Sequence, residues 1–248
     1  MGYQTEFRRN AGESFGKSNG NYASQVIAGN TFDFPYIHGL SFAEAGKGFV
    51  SASLGAVIEG KVDLSDYKII DLILGKQKTT VTGNGFSGVR FNTFPEKLQK
   101  ELTKFLKNDG KLIVSGSYVS SDLFDFRSPN GSKLFANEVL GISSTDGPRP
   151  TLGKISFSLP GSKSSSRQIS YSNTLNENSY IVEYPDVLAP SENKRGEIFM
   201  RFSDTNLPAG ILTSSGNSKS AIMSVPLESM DKAGRDFIVK EILSNFEK

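Results

Sequence analysis

The sequence of 248 residues contains no cysteine and no tryptophan, and its one histidine is His38. Without cysteine, the chain has no disulfide, no thiol nucleophile and no cysteine-ligated zinc site. A single histidine excludes metal sites built from several imidazoles and mechanisms that use two of them. The lack of tryptophan weakens, without excluding, a sugar-stacking surface, because its large ring is the usual stacking platform.

The chain also lacks a strong charge imbalance and long apolar runs. Lysine and arginine number 28 and aspartate and glutamate 26, so the formal net charge is +2. This balance predicts no nucleic-acid partner. No apolar run approaches the roughly 20 residues that a membrane helix needs. The first six residues lack the basic start and apolar core of a signal peptide.

Composition along the chain predicts a single α/β domain that follows a short arm. Residues 1–20 are polar and glycine-rich and are predicted to be extended. Residues 21–248 form the predicted domain, with a strand-rich insertion over about 143–220. Residues 31–39 combine aromatic residues with a proline and are predicted to be an ordered loop, and a capping box at residues 41–44 predicts a helix start.

The clearest pattern is a strand, a helix and a second strand. Residues 68–75 and 111–116 are almost continuously apolar, which is typical of buried parallel strands. The helix between them begins at Pro95, and its apolar residues are spaced to form one stripe. This spacing predicts a right-handed βαβ unit. Residues 221–225 are predicted to add a neighbouring parallel strand, with a terminal helix over 231–246.

The βαβ segment also resembles a known family. Residues 71–77, the helix from Pro95 and residues 110–118 resemble the core of a class I glutamine-amidotransferase-like domain, and residues 220–230 are similar to its last strand and proline turn. The resemblance implies a flavodoxin-like, amidotransferase-like three-layer sandwich. Its central sheet would be mainly parallel, with a strand-rich C-terminal extension.

A narrower resemblance concerns the setting of the protein. Residues 26–39 and 67–77 resemble secreted proteins of gut Bacteroidetes that are labelled xanthan lyase or N-acetylmuramoyl-L-alanine amidase. The resemblance implies a secreted, periplasmic or cell-surface protein whose partners are glycan or peptidoglycan fragments and neighbouring domains. The labels do not carry over as activities, because a zinc amidase needs several histidines and xanthan-type lyases use a helical toroid.

The candidate catalytic residues lie on the turn that matches the amidotransferase nucleophile. That family uses a cysteine there and a histidine late in the chain, and this sequence has neither. A serine version remains open, in which Ser117 attacks a carbonyl, His38 takes its proton, and Asp122 or Asp33 orients the imidazole. The alternative is that Ser117 and Asp122 hydrogen-bond the strand end and cap the next helix.

Lys76, Gln77 and Tyr118 are the candidate ligand-binding residues. They follow predicted parallel strands, and ligands of open α/β sheets bind beyond the carboxyl ends of the strands. A solvated polar loop is the equally weighted alternative. We predict no cofactor and no metal site, since the spacing of Asp63, Asp66 and Asp71 is not that of an EF-hand.

The leading hypothesis is a non-catalytic or degenerate amidotransferase-like module of an exported protein that is linked to glycan or cell-envelope processing. A serine hydrolase acting on an ester or amide of a carbohydrate or peptidoglycan fragment is one alternative. A structural interaction domain is the other.

Overall fold

The structure, a computed structural model, describes residues 34–81, 89–161, 166–174 and 180–248. The predicted arm, and Asp33 with it, lies outside these residues. The helices are α1 (Phe34–Glu44), α2 (Leu54–Ile58), α3 (Glu96–Lys107), α4 (Val119–Leu123), α5 (Ser132–Leu134, continued by the π-helical segment Phe135–Leu140) and α6 (Lys232–Phe246). The strands are β1 (Ile69–Gly75), β2 (Thr80–Val81), β3 (Val89–Phe91), β4 (Lys111–Gly116), β5 (Ile142–Ser144), β6 (Lys154–Phe157), β7 (Arg167–Ser170), β8 (Leu188–Pro190), β9 (Gly196–Phe202), β10 (Pro208–Ser215) and β11 (Ser218–Met223).

Seven of these strands form one central sheet in the order β1-β4-β11-β10-β9-β6-β7. The first three strands are adjacent and parallel, as the βαβ spacing predicts. Every further pairing, from β11 to β10 and on to β7, is antiparallel. The sheet is therefore mixed, and the predicted flavodoxin-like, amidotransferase-like sandwich with a mainly parallel sheet is wrong.

Hairpins explain why the second half of the sheet is antiparallel. Strands β10 and β11 are joined by Gly216 and Asn217, with Ser215 opposite Ser218. Gly216 has a φ of +60°, a conformation that tight hairpin turns require and that glycine adopts without strain. A two-residue connection cannot join parallel strands, which need a crossover of about a dozen residues or more. Strands β6, β7, β9 and β10 thus extend the same sheet, whereas β8 pairs with β5 in a separate two-stranded sheet.

Helix α1 occupies most of the segment that the sequence predicts to be an aromatic loop. Pro35 stands in its first turn, where a missing N–H costs nothing. The capping-box residues form the last turn of this helix, so the predicted helix start at Ser41 is wrong. Gly39 is required inside the helix because the Phe49 ring lies against it, and a Cβ there would come within 2.1 Å of that ring.

The core has two parts, one on each face of the sheet. On one face, α3 buries the apolar stripe that the sequence predicts. The members of that stripe are Leu98, Leu102, Phe105 and Leu106. On the other face, α1 and α6 contact each other and cover the central strands. Phe237 of α6 is only half-buried, and its ring packs edge-on against Phe157 at 5.5 Å between centroids.

The two phenylalanines provide a test of this burial. Phe105 is 4% exposed, so Phe105→Ala is expected to cost about 3–5 kcal/mol of the free energy of unfolding. Phe237→Ala is expected to cost distinctly less, because its side chain already contacts solvent. Urea denaturation of both variants measures the difference. Equal losses in the two variants would contradict the assigned helix faces.

Candidate functional site

The candidate site lies at the carboxyl ends of β1 and β4. The backbone N–H of Ser117 donates a 2.7 Å hydrogen bond to the carbonyl of Gly75, which ties the two strand ends together. The chain then turns through Tyr118 directly into α4. This is the strand-to-helix turn at which the sequence places its candidate nucleophile.

Ser117 lacks the surroundings of an activated nucleophile. Its side chain is buried, and its hydroxyl has no hydrogen-bond partner among the described residues. In nucleophile elbows the serine sits on a sharp, strained turn that exposes its hydroxyl. In the described part of the chain, positive φ angles outside glycine occur only at Asp109 and Asn206, so the backbone of Ser117 does not show that strain.

His38 is held between two carboxylates. Its Nδ1 lies 2.7 Å from Oδ2 of Asp71, and its Nε2 lies 3.0 Å from Oε2 of Glu228. Both carboxylates accept hydrogen bonds, so both ring nitrogens must carry a proton. Burial alone lowers the pKa of His38, but Asp71 and Glu228 outweigh it and raise the pKa to about 10. At neutral pH the ring is an imidazolium and cannot take a proton.

These three residues and Tyr180 form what we call the His38 cluster. The Tyr180 hydroxyl donates a 2.8 Å hydrogen bond to Oε1 of Glu228, the oxygen that His38 does not use. The cluster joins α1, β1, the 3₁₀ turn Leu227–Ser229 and residue 180. The sequence does not predict this cluster, because its members are far apart along the chain. The lone histidine is the one signal in the sequence that points to it.

Asp122 is engaged elsewhere. Its carboxylate accepts hydrogen bonds from the backbone N–H and the hydroxyl of Thr79 and from the hydroxyl of Thr93. Burial raises the pKa of this carboxyl, and these hydrogen bonds oppose the rise. Because both nitrogens of His38 are already taken, no hydrogen bond joins Asp122, His38 and Ser117 into a triad.

Residues 180–188, which we call the strap, cross the two strand ends. Lys76 donates a 2.7 Å hydrogen bond to the carbonyl of Ile181 and pairs with Glu183. The backbone N–H of Asp186 donates to the carbonyl of Ser117 at 2.8 Å, and its carboxylate accepts from the N–H of Ser121 at 2.7 Å. Residues 180–184 form no strand.

The strap changes the setting of the candidate ligand-binding residues. The Lys76 ammonium already contacts two groups of the strap, the Ile181 carbonyl and the Glu183 carboxylate. Gln77 is half-buried, and its backbone N–H donates to the carbonyl of Leu74 at 2.9 Å. The Lys78 ammonium lies 5.6 Å from the centroid of the Tyr118 ring. The structure thus brings these residues to one edge of the sheet, beside a segment of the chain's own backbone.

The described residues contain no group of three or more histidine and carboxylate side chains arranged to hold a metal ion. Within the same ranges, no helix combines the length and apolarity needed to cross a membrane.

No protein-family model and no curated protein sequence matches this chain. Solved structures do share its fold. Gan42B, a GH42 β-galactosidase from G. stearothermophilus, aligns with a TM-score of 0.52 and 15% identity over 90% of this chain and 27% of its own. The β-galactosidase from Rahnella sp. R3 aligns with a TM-score of 0.51 and 14% identity over 86% of this chain and 27% of its own.

A third similar structure is a separate domain. The mmIFT52 N-terminal domain aligns with a TM-score of 0.51 and 12% identity, covering 84% of this chain and 87% of that domain. At these identities the likeness concerns the fold alone. The chain spans about 27% of the β-galactosidases that it matches, and this likeness stands in place of the flavodoxin-like fold that the sequence predicts.

The protonation of His38 is open to direct measurement. We expect both ring nitrogens to carry protons at pH 8 in ¹⁵N-resolved NMR spectra of the imidazole. Because the pKa is raised from 6.5 to about 10, the stabilisation is complete below about pH 6.5 and is lost as the pH rises toward 10. His38→Gln should remove this slope from the free energy of unfolding. A neutral ring at pH 8 in the wild type would contradict the arrangement.

Proposed function

We propose that this chain is a non-catalytic module of an exported protein that processes glycans or the cell envelope. The observation that carries the proposal is the state of His38, whose two ring nitrogens both bind carboxylates. A serine nucleophile needs a base that can accept its proton. The only histidine of the chain is charged and enclosed, and it cannot serve Ser117.

The carboxylates near the strand ends are not free for acid–base chemistry either. Glycoside hydrolysis uses two carboxyl groups that flank the scissile bond. Asp71 and Glu228 both contact His38, and Asp122 is held by threonines. Asp186 accepts a backbone hydrogen bond from α4, and burial raises its pKa to about 6. Each of these four groups already has a partner within the chain.

Two likenesses support the glycan setting. The fold recurs as about a quarter of the length of proteins named β-galactosidases, so it occurs within longer glycosidase chains. The resemblance of residues 26–39 and 67–77 to secreted Bacteroidetes proteins points to export. A module of this kind contributes binding or positioning to a catalytic neighbour.

A serine hydrolase is the second candidate, and one observation favours it. The hydroxyl of Ser117 is buried beside the strap without a hydrogen-bond partner among the described residues. Catalysis would require the strap to move and His38 to leave both carboxylates. This cost makes the hydrolase the weaker of the two functions.

Covalent probes test the absence of catalysis. We expect purified protein to remain unlabelled by a fluorophosphonate and to leave p-nitrophenyl acetate unhydrolysed above the buffer rate, because Ser117 has no base. Gel fluorescence and absorbance at 405 nm are the measurements, with a serine esterase as the positive control. Labelling that disappears in Ser117→Ala would overturn the proposal in favour of the hydrolase.

Co-sedimentation tests the glycan setting. We expect the protein to pellet with insoluble peptidoglycan or with at least one insoluble plant or bacterial polysaccharide, since a module needs an affinity of its own to position a neighbour. The fraction of protein in the pellet is compared with that of protein centrifuged without polysaccharide and with that of a heat-unfolded sample. If the protein pellets with none of the tested polysaccharides, the structural interaction domain is the favoured function instead.

A further inference from the structure

We infer that Tyr184 and Arg149 form a subsite for an acidic sugar on the outer side of the strap. The inference rests on the proposed function and names the class of glycan that the module takes. The ligand is a pyranose with a carboxylate, such as a glucuronic acid residue.

The two side chains are stacked and accessible. The guanidinium carbon of Arg149 lies 4.5 Å from the centroid of the Tyr184 ring, and the tyrosine is 56% exposed. In the described part of the chain, no carboxylate lies within ion-pair distance of Arg149. A guanidinium stacked on a ring keeps its in-plane N–H groups free, and these match the two oxygens of a carboxylate.

The backbone is restrained on both sides of each residue before any ligand binds. Tyr184 lies between two anchors of the strap, the Glu183 contact with Lys76 and the Asp186 contact with Ser121. Arg149 stands between Pro148 and Pro150, whose rings limit the backbone on either side. Restraining the backbone beforehand lowers the conformational entropy that is lost on binding.

A second arginine–aromatic pair in the same protein shows what a bound carboxylate would do. The Arg127 guanidinium lies 5.3 Å from the centroid of Phe126, a ring that is 89% exposed. Arg127 grips Asp125 through two nitrogens, with Nε at 2.7 Å from Oδ1, and holds the pKa of Asp125 at about 2. Asp125 is thus the carboxylate partner of Arg127, and the carboxylate of a ligand would take the same place beside Arg149.

The tyrosine ring selects a sugar over a simple anion. A carboxylate alone would use only the guanidinium. A pyranose acid would also place the C–H groups of its ring against the exposed part of Tyr184, which removes apolar surface from water. Acetate and sulfate are also anions but lack this second contact. Comparing their affinities with that of the acidic sugar therefore distinguishes the contribution of Arg149 from that of Tyr184.

Isothermal titration calorimetry of the full chain with glucuronic acid, glucose, acetate and sulfate tests the subsite. A disaccharide that contains glucuronic acid and its neutral counterpart are titrated as larger ligands. We expect the acidic sugar to bind about 10-fold or more tightly than the neutral one, as a charge-assisted bidentate contact provides. Arg149→Gln should abolish this preference, and Tyr184→Ala should reduce binding of the sugar but not of acetate. Arg127→Gln is the matched control and should change neither.

Three results would overturn the subsite. They are equal binding of the acidic and neutral sugars, an unchanged preference in Arg149→Gln, and acetate or sulfate binding as tightly as the acidic sugar. Thermal unfolding of each variant checks that the fold is kept, which is expected because both side chains are exposed. None of these results bears on the absence of catalysis, which covalent labelling and ester hydrolysis test separately.

Discussion

The arrangement at the strand ends depends on one buried cation between two carboxylates. Helix α1 supplies His38, β1 supplies Asp71, and the turn after β11 supplies Glu228, whose side chain is fully buried. Buried carboxylates are costly unless a partner charge and hydrogen bonds compensate them. The imidazolium compensates both at once and ties α1 to the sheet. The same contact engages both nitrogens of the one imidazole in the protein, so this ring cannot act as a base near neutral pH.

The strap determines which groups a ligand can reach at the strand ends. In open parallel sheets, ligands bind beyond the carboxyl ends of the strands. Here that edge exists at β1 and β4, but the strap crosses it and uses Lys76, Ser117 and Ser121 as anchors. The Lys76 side chain and the backbone groups of Ser117 and Ser121 thus bind the strap. Exposed groups on the outside of the strap, such as Tyr184, are then the accessible ones.

The sequence predicted local elements far better than the contacts between them. The stripe in α3 is visible because Leu98, Leu102, Phe105 and Leu106 recur with helical spacing. Strand β10 is hard to locate from sequence because Pro208 and Gly210 interrupt its apolar pattern, although the Gly216–Asn217 turn is a usable hairpin signal. His38 and Glu228 are 190 positions apart, and no periodicity in one sequence links residues at that separation.

The serine-rich turn after β4 holds a second segment of the chain through its backbone. The carbonyl of Ser117 accepts the backbone N–H of Asp186 at 2.8 Å, and the backbone N–H of Ser121 donates to the Asp186 carboxylate at 2.7 Å. The hydroxyls of Ser117, Ser120 and Ser121 are buried and make no hydrogen bond among the described residues. The groups that bind the strap are therefore the peptide groups of this turn. A turn whose sequence resembles a nucleophile site thus has a structural role in positioning the strap at the strand ends.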